Sequence, residues 1–275
     1  MPAPEIEVSA ASYRYPSGTE ALVDVTAVID REVVAIVGQN GSGKTTLAKH
    51  LNALLLPTAG VVRVRGVDTR HRRVAQLARD VALAFQNPSH QIFHRTVEAE
   101  VAFGPTNLGF PPARVAELVA EALELLGLED VRETHPYELP FSLRKAVCVA
   151  SVVAMDSPVL VLDEPTTGQD AAGLRRLGTL VGRIRERSRT VVAITHDMQF
   201  VSDHFPRVIV MGAGRILFDG PTREGLYRED VLARTSLRAP AVVDLAMTLG
   251  LAQRPLTVEE LVAGFDARSP ELLRD

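Results

Sequence analysis

Gly38 to Thr45 reads GQNGSGKT, an order of glycines, one lysine and two hydroxyls that suits a bound polyphosphate. A triphosphate brings several negative charges that must be met without bulky side chains. Glycines at 38, 41 and 43 tolerate positive φ and let backbone N–H groups curl around phosphate oxygens. A helix starting near Lys44 aims its free N–H groups and positive dipole end at the same place. Lys44 supplies a point charge for the outer phosphates, and the Thr45 hydroxyl is placed for Mg²⁺. The nucleotide-binding set is therefore expected to be Gly38, Gln39, Asn40, Gly41, Ser42, Gly43, Lys44, Thr45 and Thr46. A second set of chemically capable residues lies downstream. Asp163 closes the apolar run PVLVLD, where a carboxylate can hold Mg²⁺ through water, and Glu164 follows it directly. An acid beside the metal-binding acid can orient or deprotonate a water for attack on the γ-phosphate, which favours hydrolysis over simple binding. His196, in AITHDM, follows another apolar run and is expected on the same sheet edge, where it can sense or stabilise the γ-phosphate.

These residues need strands and helices to hold them. VVAIV (33–37) is short, apolar and rich in β-branched residues, and TLAKHLNALL after the loop has helical periodicity. The first thirty or so residues read as antiparallel strands around a Pro16–Gly18 turn. Further strands are expected at Gly60–Gly66, Asp80–Phe85, Pro158–Pro165 and Thr190–Thr195, with a hairpin over Arg207–Gly220 turning at Gly212–Gly214. Residues 96–127 read as helical, with Pro111 and Pro112 opening the amphipathic segment, and further helices are expected over 142–155 and 171–186. Alternating strands and helices predict an α/β fold, a doubly wound sheet with ligand at the carboxyl ends of its strands. Beyond about Pro221 only short helices are expected, so 221–275 is taken as a small helical extension of a 1–220 unit.

Composition excludes several classes. Hydrophobic residues are 46% and charged residues 23%, ordinary for a globular chain of 275 residues. No apolar run reaches the roughly 18–20 residues needed to span a bilayer, and the amino terminus lacks a signal-peptide layout. A cytoplasmic location is therefore expected. A net charge of −4 gives no electrostatic footprint for nucleic acid. The lone cysteine, Cys148, excludes an intrachain disulfide, and its apolar setting AVCVASVVA favours a buried thiol. Only three of thirty basic residues are lysines (Lys44, Lys49 and Lys145), so the lysine in the phosphate loop stands out. The arginine clusters at 70–73 and 183–189 are expected to be solvated.

GQNGSGKTT, AFQNP, VLVLDEPTTGQD and ITHD occur in that order, and over residues 5–220 the chain resembles the nucleotide-binding subunit of an ATP-binding cassette (ABC) transporter. The resemblance implies the P-loop ATPase fold of that family, with an antiparallel β subdomain and a helical subdomain at about 87–157. It implies that Tyr15 stacks on adenine, Gln86 contacts Mg²⁺ and the membrane partner, and Glu164 is the catalytic carboxylate. Asp170 would cross a dimer interface, and His196 would be the switch histidine. FQNPSHQIF, TVEAEVAFGPTNLG and the late SLRAPAVVDLAMTLGL with PLTVEEL are similar to the ATPase subunits of energy-coupling factor (ECF) and cobalt-type importers. That narrower resemblance implies ATP and Mg²⁺ as ligands and dimerised ATPases docked through residues 86–109 on a membrane coupling protein. A separate membrane subunit would capture a vitamin or transition-metal ion, placing this chain at the cytoplasmic face of the membrane.

One segment departs from the family. Its signature loop, Leu-Ser-Gly-Gly-Gln, meets the γ-phosphate held by the opposite subunit, and an ungapped count back from Asp163 gives LPFSL, Leu139–Leu143. Pro140 removes a hydroxyl and an N–H, and Phe141 places a ring where glycine lets backbone approach. Ser142 is the expected helix N-cap. A weakened signature damages the partner's site and spares this chain's own, so a heterodimer is favoured over a homodimer. The competing readings are a soluble cassette ATPase unconnected with transport and a regulatory nucleotide-binding module with impaired turnover.

Overall fold

The computed structural model describes residues 3–266. Two sheets carry the fold. The first is antiparallel, in the order β2-β1-β4-β5, from β1 (Ile6–Arg14), β2 (Glu20–Ile29), β4 (Ala59–Val64) and β5 (Val67–Asp68). The second has the order β10-β9-β3-β8-β7-β6 and combines β3 (Val33–Val37), β6 (Val81–Ala84), β7 (Val159–Asp163), β8 (Thr190–Ile194), β9 (Arg207–Gly212) and β10 (Arg215–Pro221). Every pairing in it is parallel except the β9–β10 hairpin. The expected strand at 60–66 is shifted to Ala59–Val64, with Arg65 and Gly66, both at positive φ, turning the chain into β5.

The central strands are unbroken apolar runs because both their faces are covered. Alternate residues of β3 serve two different cores. Val34 and Ile36 face the antiparallel sheet and the helix α1 (Lys44–Leu51), together with Leu22, Leu47, Leu51 and Val62. Val33, Ala35 and Val37 face the opposite layer of helices. After the one-turn α2 (Val74–Leu77), that layer comprises α3 (Val97–Asn107), α4 (Pro112–Leu126), α5 (Phe141–Val153) and α6 (Ala171–Glu186). Each fully buried Val, Leu or Ile contributes about 1.5–3 kcal/mol, so these interleaved faces fix the strand register firmly.

Helix boundaries follow local chemistry. Thr96 caps α3 through its side chain, Pro112 opens α4, and Gly127 at φ 64 closes it. Cys148 lies inside α5 at 1% exposure, and burial pushes its thiol up to about 12, so it is inert packing. Arg70 and Arg72 pair with Asp68 and Asp80, while Arg189 pairs with Asp156.

After α7 (Met198–His204) and the β9–β10 hairpin, the chain continues as α8 (Thr222–Leu226), α9 (Glu229–Thr235), α10 (Ala241–Thr248) and α11 (Val258–Asp266). Leu226, Val231 and Leu232 join the main core, whereas Val242, Ala246, Leu251 and Leu261 close a small cluster of their own. The Arg223–Glu260 ion pair and the hydrogen bond from Tyr227 Oη to the Pro255 carbonyl (2.7 Å) brace this segment. Residues 267–275 of the expected extension lie outside the described residues. No helix among the described residues is long and apolar enough to cross a membrane.

Candidate active site

Adjacent strands bring the separated motifs to one edge. In the order β3-β8-β7-β6, the carboxyl ends of four neighbours lead respectively to the glycine loop, His196, Asp163–Glu164 and Gln86. In the ladder, Ile194 lies beside Ile36 on one side and Asp163 on the other. A crevice at the carboxyl edge of parallel strands is where such sheets bind ligand.

The glycine loop is sterically obliged to be glycine. A Cβ on Gly38 (φ 155) would lie 2.2 Å from the Met211 carbonyl oxygen, and one on Gly43 (φ 100) would lie 2.3 Å from that of Ala21. Lys44, at 6% exposure, folds its ammonium onto the loop and donates to the carbonyls of Gly38 (2.7 Å) and Gln39 (3.0 Å). Burial lowers its pKa against the raising influence of Glu164 and Asp163. In front of the loop is a cleft of about 410 Å³ lined by Asn40, Gly41, Ser42, Gly43, Lys44, Thr45 and Thr46. Tyr15, Gln86 and Glu164 also line it, together with Thr19, Glu20 and Ala21. The Gln39 carbonyl accepts from Lys44 and from the Ser42 N–H at 3.1 Å. The Tyr15 hydroxyl sits 3.1 Å from Thr46 Oγ1, with its ring edge-on to Tyr13 at 4.9 Å, so the aromatic face is anchored to α1.

Opposite the loop, Thr45 Oγ1 donates to Asp163 Oδ1 at 3.2 Å. Burial raises the Asp163 pKa, opposed by the Thr45 hydrogen bond. A hydroxyl beside a carboxylate is a hard oxygen pair of the kind Mg²⁺ selects, leaving room for phosphate oxygens and water. Glu164 is 6% exposed and holds the left-handed backbone at φ 52. A non-glycine residue there costs about 1–3 kcal/mol and persists only where its surroundings insist on it. Its N–H donates to the Ile194 carbonyl at 2.8 Å, and its Oε2 accepts from His196 Nδ1 at 2.8 Å and Thr167 Oγ1 at 3.4 Å. The buried Thr166 and Thr195 hydroxyls, 2.8 Å apart, tie together the segments that carry Glu164 and His196. His196 itself is 62% exposed, free to meet a ligand from the open side.

One expected residue has an added task within the chain, and one expected role is corrected. The Asp170 carboxylate accepts from Gly173 N–H at 2.7 Å and caps α6. Ser142 is not the cap of α5, a correction to the sequence reading. Pro140 occupies the cap position without a side-chain bond, because its extended backbone starts the helix one residue early. Ser142 instead sits in the first turn, where its carbonyl accepts from Gln169 Nε2 at 3.1 Å. Phe141 is 43% exposed, and its ring covers Gly168, where an added Cβ would come within 2.6 Å of it.

Sequence reasoning missed Lys145 and Gln91. The Lys145 ammonium, on a residue 2% exposed in α5, donates to the carbonyls of Gln86 (2.9 Å) and Glu164 (2.6 Å). A lysine within an apolar helical run, in a chain with so few lysines, was the available signal. Gln91 Nε2 donates to Cys148 O and Ser151 Oγ, each at 2.8 Å, and its Oε1 accepts from Phe85 N–H, pinning the loop after Gln86 to α5. Nothing local in the sequence marks it.

Fold and site together define a nucleotide-binding cassette, and the family described as ABC transporter matches residues 26–167. The chain belongs to that family. A relative from Caldanaerobacter subterraneus, described as an ABC transporter ATP-binding protein, is 42% identical over 94% of this chain; the chain spans 45%, about half, of that relative's length. The energy-coupling factor transporter ATP-binding protein EcfA of Methanoculleus marisnigri is 40% identical over 89% of each chain. Among solved structures, cbiO1 of Clostridium perfringens, part of the ABC transporter complex cbiONQ, is 30% identical with a TM-score of 0.74, covering 89% of this chain and 99% of its own.

Proposed function

We propose that this chain is the ATP-hydrolysing subunit of an ECF-type importer, coupling ATP binding and hydrolysis to uptake of a vitamin or transition-metal ion through membrane partner subunits. The observation that carries this reading is Glu164, strained and hydrogen-bonded to His196, facing the glycine loop across the Thr45–Asp163 pair. Residues 1–220 would form the catalytic unit, with a helical part at about 87–157 and an extension at 221–275.

In this mechanism Tyr15 stacks on the adenine, the loop N–H groups and Lys44 hold the phosphates, and Thr45, Asp163 and Gln86 would hold Mg²⁺. Bound Mg²⁺ would neutralise charge on the β- and γ-phosphates. Glu164 takes a proton from the attacking water as its oxygen approaches the γ-phosphorus in line with the departing ADP oxygen. His196 holds the Glu164 carboxylate in place and faces the γ-phosphate. The retained Glu164–His196 pair argues against a regulatory module without turnover.

The partner ATPase would contribute an intact signature loop, because Pro140 and Phe141 occupy that position here. This supports a heterodimer with one competent and one impaired site. The membrane partner would dock beside Gln86, where Phe93 (61% exposed) and Phe103 (43% exposed) meet edge-to-face at 4.7 Å with His94 against both. Exposed aromatics in one cluster are typical binding anchors. The chain would then sit peripherally on the cytoplasmic face of the membrane. Replacing Phe93 and Phe103 with serine is expected to lower recovery of integral membrane proteins with the tagged chain at least tenfold, with ATP affinity unchanged. Undiminished recovery by the double variant would refute this docking surface.

A further inference from the structure

Lys145 is a buried cation with an unusual set of partners. Among the described residues it forms no ion pair, and its ammonium spends its hydrogen bonds on two backbone carbonyls, those of Gln86 and Glu164. A desolvated cation whose hydrogen bonds reach no carboxylate is costly, and burial lowers its pKa against the raising influence of Cys148, Asp163 and Glu164. Apart from Ser151, apolar side chains fill the rest of the buried face of α5, so packing alone would be met by methionine.

What the ammonium does hold is the main chain at the ends of two adjacent strands. Gln86 follows β6, and Glu164 follows β7 in the left-handed conformation at φ 52. Two main-chain contacts define that conformation: the Glu164 N–H on the Ile194 carbonyl at 2.8 Å and the Glu164 carbonyl on Lys145 at 2.6 Å. The first fixes β7 to β8, and the second fixes the turn to α5, the helix that follows the LPFSL segment. We infer that Lys145 is a positioning residue, holding the Glu164 turn and the Gln86 carbonyl in register so that the Glu164 carboxylate faces the glycine loop. Its hydrogen bonds go to those two carbonyls, and its charge also acts on the nearby Asp163 carboxylate.

This inference rests on the hydrolytic reading, and the experiment separates their failures. ATP affinity, kcat and Tm are measured for the complex purified through a tag on the full chain, with Lys145→Met, Lys145→Arg and Glu164→Gln compared against wild type. Lys145→Met is expected to lower kcat at least tenfold while ATP Kd stays within about threefold, because the phosphate loop is untouched. Lys145→Arg, which keeps two donors, is expected to restore kcat to within about threefold of wild type. Should Lys145→Met fail to fold, Lys145→Gln replaces it, and its shorter, neutral amide predicts a loss between those of Met and Arg. Wild-type kcat in Lys145→Met, beside an inactive Glu164→Gln, would overturn the positioning role and leave the hydrolytic reading intact. Parallel losses of Kd, kcat and Tm without rescue by arginine would make Lys145 merely structural. Absence of ATP turnover in the wild type would overturn the hydrolytic reading, whereas full activity in Glu164→Gln would remove Glu164 as the base and this inference with it.

Discussion

Replacing Glu164 with glutamine is expected to lower kcat for ATP hydrolysis by roughly 10²–10⁴-fold, the range that a positioned general base supplies. ATP should remain bound, since the glycine loop, Lys44 and the Thr45–Asp163 pair are unaltered. Glutamine keeps the shape and one acceptor oxygen for His196, so the left-handed turn and the 2.8 Å contact can survive while the proton acceptor is lost. A coupled nucleotide-binding and steady-state assay distinguishes this outcome from collapse of the site, which would raise Kd and lower kcat together. A variant that turns over at the wild-type rate would assign water activation elsewhere.

The second large effect is at Lys44, where alanine is expected to weaken ATP binding about 100-fold. A hydrogen bond to a charged group contributes about 1.5–3 kcal/mol, and loss of two such contacts to phosphate corresponds to at least two decades in Kd. The folded chain has less at stake, because the ammonium's present partners are two carbonyls of its own loop, Gly38 and Gln39, and its removal also lifts a desolvation cost. Titration with ATP should therefore show the loss while thermal unfolding moves by only a few degrees. In the free protein burial holds Lys44 below the ordinary lysine value. The charged form that phosphate needs is thus lost, as pH rises, earlier than for an exposed lysine. Undiminished ATP binding by Lys44→Ala would remove the phosphate loop from the account.

Much of this was legible because the signals are local. The strand–loop–helix at 33–51 needs only an apolar run, three glycines and helical spacing, all contiguous in the chain. Asp163 and His196 were placed on one edge by the rule that parallel strands share their carboxyl ends, and β8 does lie between β3 and β7. Contacts across long sequence separations were not legible. The Lys145 bond to Gln86 spans 59 residues and depends on how α5 packs under β6 and β7. Ser142 misled because serine near a helix start is a good cap on average, whereas Pro140 had already set the first turn. Asp170 illustrates double duty: a residue expected at a dimer interface is also, within this chain, an ordinary cap for α6.

The central claim is that this cassette hydrolyses ATP in partnership with membrane subunits and a second ATPase. The most direct test is ATP turnover by the tagged full chain recovered from detergent-solubilised membranes, set against the chain purified alone. The account predicts turnover in the membrane-derived complex at least tenfold faster per tagged chain than in isolation, and its loss in Glu164→Gln. Equal, brisk hydrolysis by the isolated chain, with no integral membrane protein in the recovered complex, would contradict it.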